Sequence, residues 1–357
     1  MGKVSINALR RELAGLHDQS AAWAHVLFLG ALVMYIVCFL GAAFLNSIYA
    51  RIACSLALGP LIALLFRIAH DAGHHSHFAS RQLNWIAGNI SILPSYHPYS
   101  VWLYFHNARH HTFTNLRSGD YVWIPRSKGE YDRLSMTGRA LERCYRTMLG
   151  VGIYYLYAIW FKTMMFPPRT GVRRPRPEFT RDSVIVLIFF FSQVLLLSWG
   201  VNGPGELVLR FALAILMPFA IFNWLVGFAS FLNHTHPQVP WFSRRREWSY
   251  YTGQVNCTVH MTVPAWMVFF LTDVGLHGVH HIDPRIPIWG LDRAQSRIVS
   301  DTQADIVFDH WSYARHREIL RCCKLYDYES HTWIGFDGRP TTPKIFAQPS
   351  ALSDAAE

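Results

Sequence analysis

Histidine dominates the reactive residues of this chain. There are 19 histidines, and most fall into four short runs: HDAGHHSH from His70, HNARHH from His106, HTH from His234 and HGVHH from His277. His70 and His74 are four residues apart, as are His106 and His110, a spacing that stacks two side chains one turn apart on one helix face. His277 and His280 are three apart, and His111 and His281 add a neighbouring ring to their runs. Imidazole suits iron, copper, zinc and nickel as a ligand. Crowded neutral imidazoles need a partner for their lone pairs, because an unsatisfied buried polar group costs about 1–3 kcal/mol. The runs therefore predict a metal site. One tetrahedral zinc takes about three or four ligands, so this many histidines predict two first-row metal ions. His17, His25, His310, His316 and His331 stand outside the runs and read as ordinary surface or core residues.

Something must bring four separated runs together, and the composition points to a membrane. The 357 residues are 51% hydrophobic and only 16% charged, against about 25% charged in soluble domains. The net charge of +10 suits anionic headgroups or an acidic protein partner; nucleic acid is set aside because apolar spans claim the chain. Six cysteines without a CxxC pair offer no zinc ribbon, iron–sulfur site or disulfide framework, and no cleavable signal peptide is expected.

Residues 26–44 and 52–69 predict a first transmembrane hairpin, with Gly59-Pro60 as a kink and Arg67 snorkelling to the interface. Residues 183–201 and 211–233 predict a second, turned by Asn202-Gly203-Pro204-Gly205. Each hairpin ends on a histidine run, on one side of the membrane. Three further apolar stretches are expected in the interface rather than across it. These are residues 82–105, broken by Gly88, Pro94 and Pro98, residues 147–161, and residues 259–271. The division is then residues 1–20 as a cytoplasmic segment, 21–69 the first hairpin, 70–182 a cap with two histidine runs, 183–233 the second hairpin, and 234–357 a cap with the last run and a tail. The basic connector PPRTGVRRPRP marks its side as cytoplasmic. Both termini and the site are expected there.

HDAGHH, HNARHH and HGVHH resemble the three histidine boxes of the membrane fatty acid desaturase superfamily, which also holds hydroxylases, acetylenases and epoxygenases. HHTFTN followed by Asp120, LNHTHP followed by Pro240 and Trp241, and HHIDPRIP are most like acyl-lipid desaturases of the omega-6/delta-12 group. The resemblance covers residues 70–287. It implies an all-α integral membrane protein with four transmembrane helices in two hairpins and a cytoplasmic helical cap holding a di-iron site. It implies iron ligands, and catalytic residues, at His70, His74, His106, His110, His111, His277, His280 and His281. One more ligand would come from His234, with His236 as the alternative. Asp71, Asn107 and Asp283 are candidates to orient these rings.

The activity implied is an oxygen-dependent oxidoreductase that places a cis double bond in a fatty acyl chain, using dioxygen and two electrons. A hydroxylase, acetylenase or epoxygenase on the same scaffold is the alternative, and a histidine-rich metal transporter a remote one. The substrate would be an acyl lipid, or acyl-CoA or acyl carrier protein. Trp102, Tyr104, Phe105, Trp266 and Phe269 are candidates for the wall of its tunnel. With no His-Pro-Gly-Gly haem loop in the chain, the electron donor would be a separate ferredoxin or cytochrome, and Arg173, Arg174 and Arg176 a surface to dock it.

Overall fold

Hydrocarbon offers a backbone no hydrogen-bond partner, so a spanning segment must be a helix of about 20 residues. The computed structural model of the protein describes residues 5–17, 21–167, 176–264, 267, 275–300 and 306–345. After a short amphipathic helix α1 (Ile6–Glu12) come α2 (Ala21–Phe44) and α3 (Ile48–Gly73), both long and apolar enough to cross a bilayer. Next lies α4 (Arg81–Ile92); at 12 residues it reaches only about 18 Å, and its Trp85, Ile86 and Ile90 are exposed. The third spanning helix is α5 (Pro177–Ser198). The fourth is the continuous Pro204–His234, composed of α6 (Pro204–Phe211), a π-helical turn and α7 (Met217–His234).

Half of α3 and half of the fourth span are buried, against 22% of α5, so α3 and α7 form the inner pair. A Cβ on Gly59 would lie 2.3 Å from Cγ2 of Ile221, and its absence lets the two helices approach. The outer helices present Val26, Val33 and Val37 of α2 and Ile188, Phe191 and Leu195 of α5 to their surroundings. The turns within the hairpins, residues 45–47 and 199–203, carry no lysine or arginine.

Residues 82–105 form no spanning helix, and residues 147–161 run as helix Gly150–Tyr154 into a π-helical stretch, Tyr155–Met165, packed along α7. Beyond the spans come α8 (His277–Ile282), α9 (Leu291–Ser300) and α10 (Tyr313–Cys322). The helix α1 packs its buried Leu9 against this region, with Ile282 and Ile286.

Four expectations need correcting. Residues 259–271 are not a purely interfacial apolar segment: β1 (Val259–Thr262) pairs in parallel with β2 (Val307–His310), so this stretch is tied to the tail by backbone hydrogen bonds. Residues 265, 266 and 268–274, including Trp266 and Phe269, lie outside the described residues. The tail also holds an antiparallel pair, β3 (Leu325–Asp327) and β4 (Thr332–Ile334), so the mostly helical fold carries two small sheets. The third spanning helix starts six residues before residue 183, because Pro177 suits the first turn and the buried Asp182 accepts from the Ser100 amide at 2.8 Å. Arg67 does not snorkel outward. It is buried with a nitrogen 3.0 Å from Asp71, one turn along α3, and that internal counter-ion removes the need to reach water. Arg173, Arg174 and the last ten residues of the chain lie outside the described residues.

Candidate metal centre

The inner helices deliver the first histidines. His70 is in the last turn of α3 and His74 caps it; His234 is the last residue of α7. Between them, Tyr104–His110 is wound as a π-helix, wider than an α-helix, and this changes which rings align. His106 meets His111, with their Nε2 atoms 3.0 Å apart, whereas His110 turns to other neighbours. On α8 it is His277 and His281, four apart, that meet at 3.0 Å, whereas Nε2 of His280 lies 3.2 Å from that of His111. The face-sharing pairs suggested by spacing, His106 with His110 and His277 with His280, are therefore not the pairs formed.

Nine histidines gather into two groups. His70, His74, His106, His111 and His280 form one, and His110, His234, His277 and His281 the other; within each, one nitrogen per ring lies within 4.8 Å of all the rest. The second group is braced by oxygen acceptors. His110 donates from Nδ1 to Asp120 at 2.9 Å, His281 to Oε1 of Gln254 at 3.0 Å, and His234 to the Cys257 carbonyl at 3.3 Å. The Gln254 amide is fixed in that sense because its NH₂ donates to the His111 carbonyl at 2.8 Å. Acceptors that take the Nδ1 proton leave Nε2 bare, so three rings turn unprotonated nitrogens inward. In the first group, Nδ1 of His70 donates to Asp71 at 3.2 Å.

Burial holds His74, His106, His111, His277, His280 and His281 well below the ordinary histidine value, and the charge of neighbouring histidines acts the same way. They are neutral, as metal ligation requires. For Asp120, burial works against the charge, but His110, His234 and the Asn115 amide together outweigh it and the carboxyl titrates below its usual value. Its oxygens also accept from the Asn115, Tyr121 and Val122 amides at 2.9, 2.7 and 3.1 Å, which fixes the carboxylate in place.

This donor set fits metal ions. Metal–imidazole bonds of about 2.1 Å set at right angles put neighbouring nitrogens about 3.0 Å apart, the separation seen for His106–His111, His234–His277 and His277–His281. Nε2 of His74 is buried with no hydrogen-bond partner among the described residues, as a ligand awaiting a cation would be.

A cavity of about 130 Å³ reaches the centre from between the inner helices. Ala63 and Phe66 of α3 and Leu225, Val226 and Ala229 of α7 line it, and it ends on His70, His106, His110, His234 and His277. Trp102 is in its wall, stacked on His106 at 4.6 Å. Tyr104 and Phe105 are not: Tyr104 lies beneath Arg176, and Phe105 packs edge-on against Tyr121.

Some expected residues sit elsewhere. His236 is outside both groups: its Nε2 lies 2.8 Å from Asp309 and 2.9 Å from Arg315. The helix ends at His234, and beyond the extended Thr235 it is Asp309 and Arg315 that hold the His236 ring. His77 bonds the Ala24 carbonyl and Asn107 the Gly73 carbonyl, and Asp283 pairs with His17 and Arg285, so Asn107 and Asp283 orient no ring of the centre. Gln254 and Arg67 were missed as contributors. Gln254 had no signal in sequence; Arg67 had one, an acid four residues on.

A family model described as "Fatty acid desaturase" matches residues 46–313. Among curated proteins, the chain is 27% identical over 317 residues to an sn-1 oleoyl-lipid 12-desaturase of Picosynechococcus sp., covering 88% of this chain and 87% of that protein. It is 26% identical over 315 residues to the protein of the same name from Synechocystis sp., covering 87% and 85%. A chloroplastic omega-6 fatty acid desaturase of Glycine max is 26% identical over 274 residues, and there the match covers 76% of this chain but 61% of the longer plant protein.

Proposed function

The chain belongs to the fatty acid desaturase family, and from that premise we propose that it places a cis double bond at carbon 12 of an oleoyl chain carried by a membrane glycerolipid. The position and the carrier follow the names of the cyanobacterial relatives. The observation that carries the reading is the convergence of nine histidines where an apolar cavity between two spanning helices ends.

We assign two iron ions to the two histidine groups. When bound, they supply the activation of dioxygen that lets an unactivated methylene lose hydrogen. The balance is –CH₂–CH₂– plus dioxygen, two electrons and two protons, giving –CH=CH– and two waters. The chain's own part is positioning. The walls from α3 and α7 admit an acyl chain and exclude water. Neighbouring methylenes are chemically alike, so selection between them falls to the shape of the cavity, with Trp102 and Phe66 beside the histidines. Asp120, Gln254 and the Cys257 carbonyl hold the ring tautomers that leave Nε2 free. The histidines cluster at and beyond the ends of the spans rather than along them, which disfavours a transporter's relay, and the relatives' names favour desaturation over hydroxylation.

We place the termini and the centre on the cytoplasmic side. The hairpin turns on the other side lack lysine and arginine, and the connector on this side is rich in arginine. The electrons come from a separate carrier protein.

The test is the fatty acid profile of a host that lacks polyunsaturated lipids, expressing the chain with a ferredoxin and its reductase, beside His110→Ala. A new diunsaturated acid that disappears in the variant is the expected result. A hydroxylated product would replace the reading by a hydroxylase. An unchanged profile together with no iron in the purified chain would overturn it.

A further inference from the structure

The cavity reaches the histidines from between the inner helices, and a second path reaches them through residues that do not line it. Trp248 is buried in a small core of its own with Leu116, Phe242 and Cys257, and none of these lines the cavity. Its indole Nε1 donates to the Thr114 carbonyl at 2.8 Å, and the Thr114 hydroxyl lies 3.4 Å from Nδ1 of His281 and donates to the His110 carbonyl at 2.8 Å. Hydrogen bonds and covalent bonds thus run unbroken from this indole to the four-histidine group. Above the ring lies a cation: the Arg245 guanidinium is 4.4 Å from its centroid.

Arg245 is part of an exposed basic run, Arg244, Arg245 and Arg246. Two more arginines border it. Arg109 lies over Phe113, whose ring is 6.3 Å from that of Trp248, and Arg10 reaches the Tyr250 hydroxyl at 3.2 Å. Glu247, 3.4 Å from Arg244, offsets only part of this charge.

We propose that Arg244, Arg245 and Arg246, flanked by Arg10 and Arg109, form the docking surface for an acidic, soluble one-electron carrier protein, and that Trp248 and Thr114 lead its electrons to the histidine centre. The proposal rests on the desaturase reading, which needs two electrons per double bond from outside the chain. Each docking oxidises the carrier by one electron and reduces the metal pair by one, so two dockings complete a turnover. Charge complementarity selects the partner: a positive patch over a buried redox path suits an acidic carrier, and opposite fields speed encounter in a salt-dependent way. None of these arginines, nor Trp248 or Thr114, lines the cavity, so donor and substrate engage different residues.

The experiment uses the full chain in nanodiscs of zwitterionic lipid and an acidic [2Fe–2S] ferredoxin as probe. Ferredoxin binding is measured directly across a salt series, independent of turnover. In R244E/R245E/R246E the Kd rises by about tenfold or more and its salt dependence flattens, with iron content unchanged. R246E alone, at an exposed position, gives a smaller shift in the same direction and guards against misfolding of the triple variant. In Trp248→Phe the Kd stays, while reduction by ferredoxin slows relative to reduction by dithionite. Unchanged ferredoxin affinity in the arginine variants overturns the proposal. So does a loss confined to binding of phosphatidylglycerol vesicles, which would make the patch a headgroup surface. A wild type that binds ferredoxin but forms no double bond refutes the desaturase reading instead, leaving the docking surface in place.

Discussion

Five histidines make up one group of the centre and four the other, and the two are fixed by different means. In the group of four, His110, His234 and His281 each pass an Nδ1 proton to an oxygen: Asp120, the Cys257 carbonyl and Gln254. In the group of five, His70 has such an acceptor, Asp71, and that carboxylate is also the counter-ion of buried Arg67. Nδ1 of His280 is buried with no hydrogen-bond partner among the described residues, as is Nε2 of His74, which stands free like a ligand nitrogen. Their rings lean on other rings instead, His74 on His111 at 4.8 Å and His70 on His280 at 4.4 Å between centroids. The comparison teaches that oxygen acceptors orient three of the four rings in one group, whereas ring-on-ring packing carries more of the order in the other.

The sharpest way to break that comparison is to remove a ligand from each group. His110→Ala and His74→Ala should each lower double-bond formation more than about 100-fold, since loss of a mere supporting partner already costs about 10–100-fold. Iron per chain should fall from about two toward one in both, measured on the purified protein. If either variant kept both irons, the grouping would be wrong.

Substituting the two carboxylates separates the groups next. Asp71→Asn leaves Arg67 buried without its counter-ion, so thermal unfolding should register about 3–5 kcal/mol of lost stability. Asp120→Asn keeps an oxygen for the backbone amides but loses the charge facing His110. Iron affinity should drop about tenfold, with fold stability changed by only about 1 kcal/mol. Equal effects on the fold would erase the distinction.

A chelator titration sharpens it further. Iron should leave in two steps, the five-histidine group first, because its His280 has no partner at Nδ1 among the described residues. A single step would show that bracing does not set retention. The smallest effect on the centre is expected from His236→Gln. Iron content should not change, while unfolding stability falls by about 1–3 kcal/mol as the pairing with Asp309 and Arg315 is lost.

His234 and His236 show how far the sequence could be read. Both follow the fourth span, and nothing local distinguishes them as ligands. The choice is made by the end of α7 and by Asp309 and Arg315, 73 and 79 residues beyond His236. The second run gives the same lesson. Its spacing suggested His106 with His110, but a π-helical stretch pairs His106 with His111. Arg67 read as an interfacial cation because the sequence does not say which way a side chain faces. The segment after residue 258 read as interfacial because its pairing partner, β2, lies more than forty residues later.

The sequence by itself determined the four spans, their two hairpins and the histidine runs at the span ends. Hydropathy acts over contiguous residues and a bilayer accepts only helices of sufficient length, so these features are local. The tertiary structure alone decided which imidazoles share a group, which oxygens hold their tautomers and where the cavity meets them. Those outcomes depend on helix winding and on contacts such as His281 with Gln254 and His280 with His111, 27 and 169 residues apart, and no local pattern in the chain records such pairings.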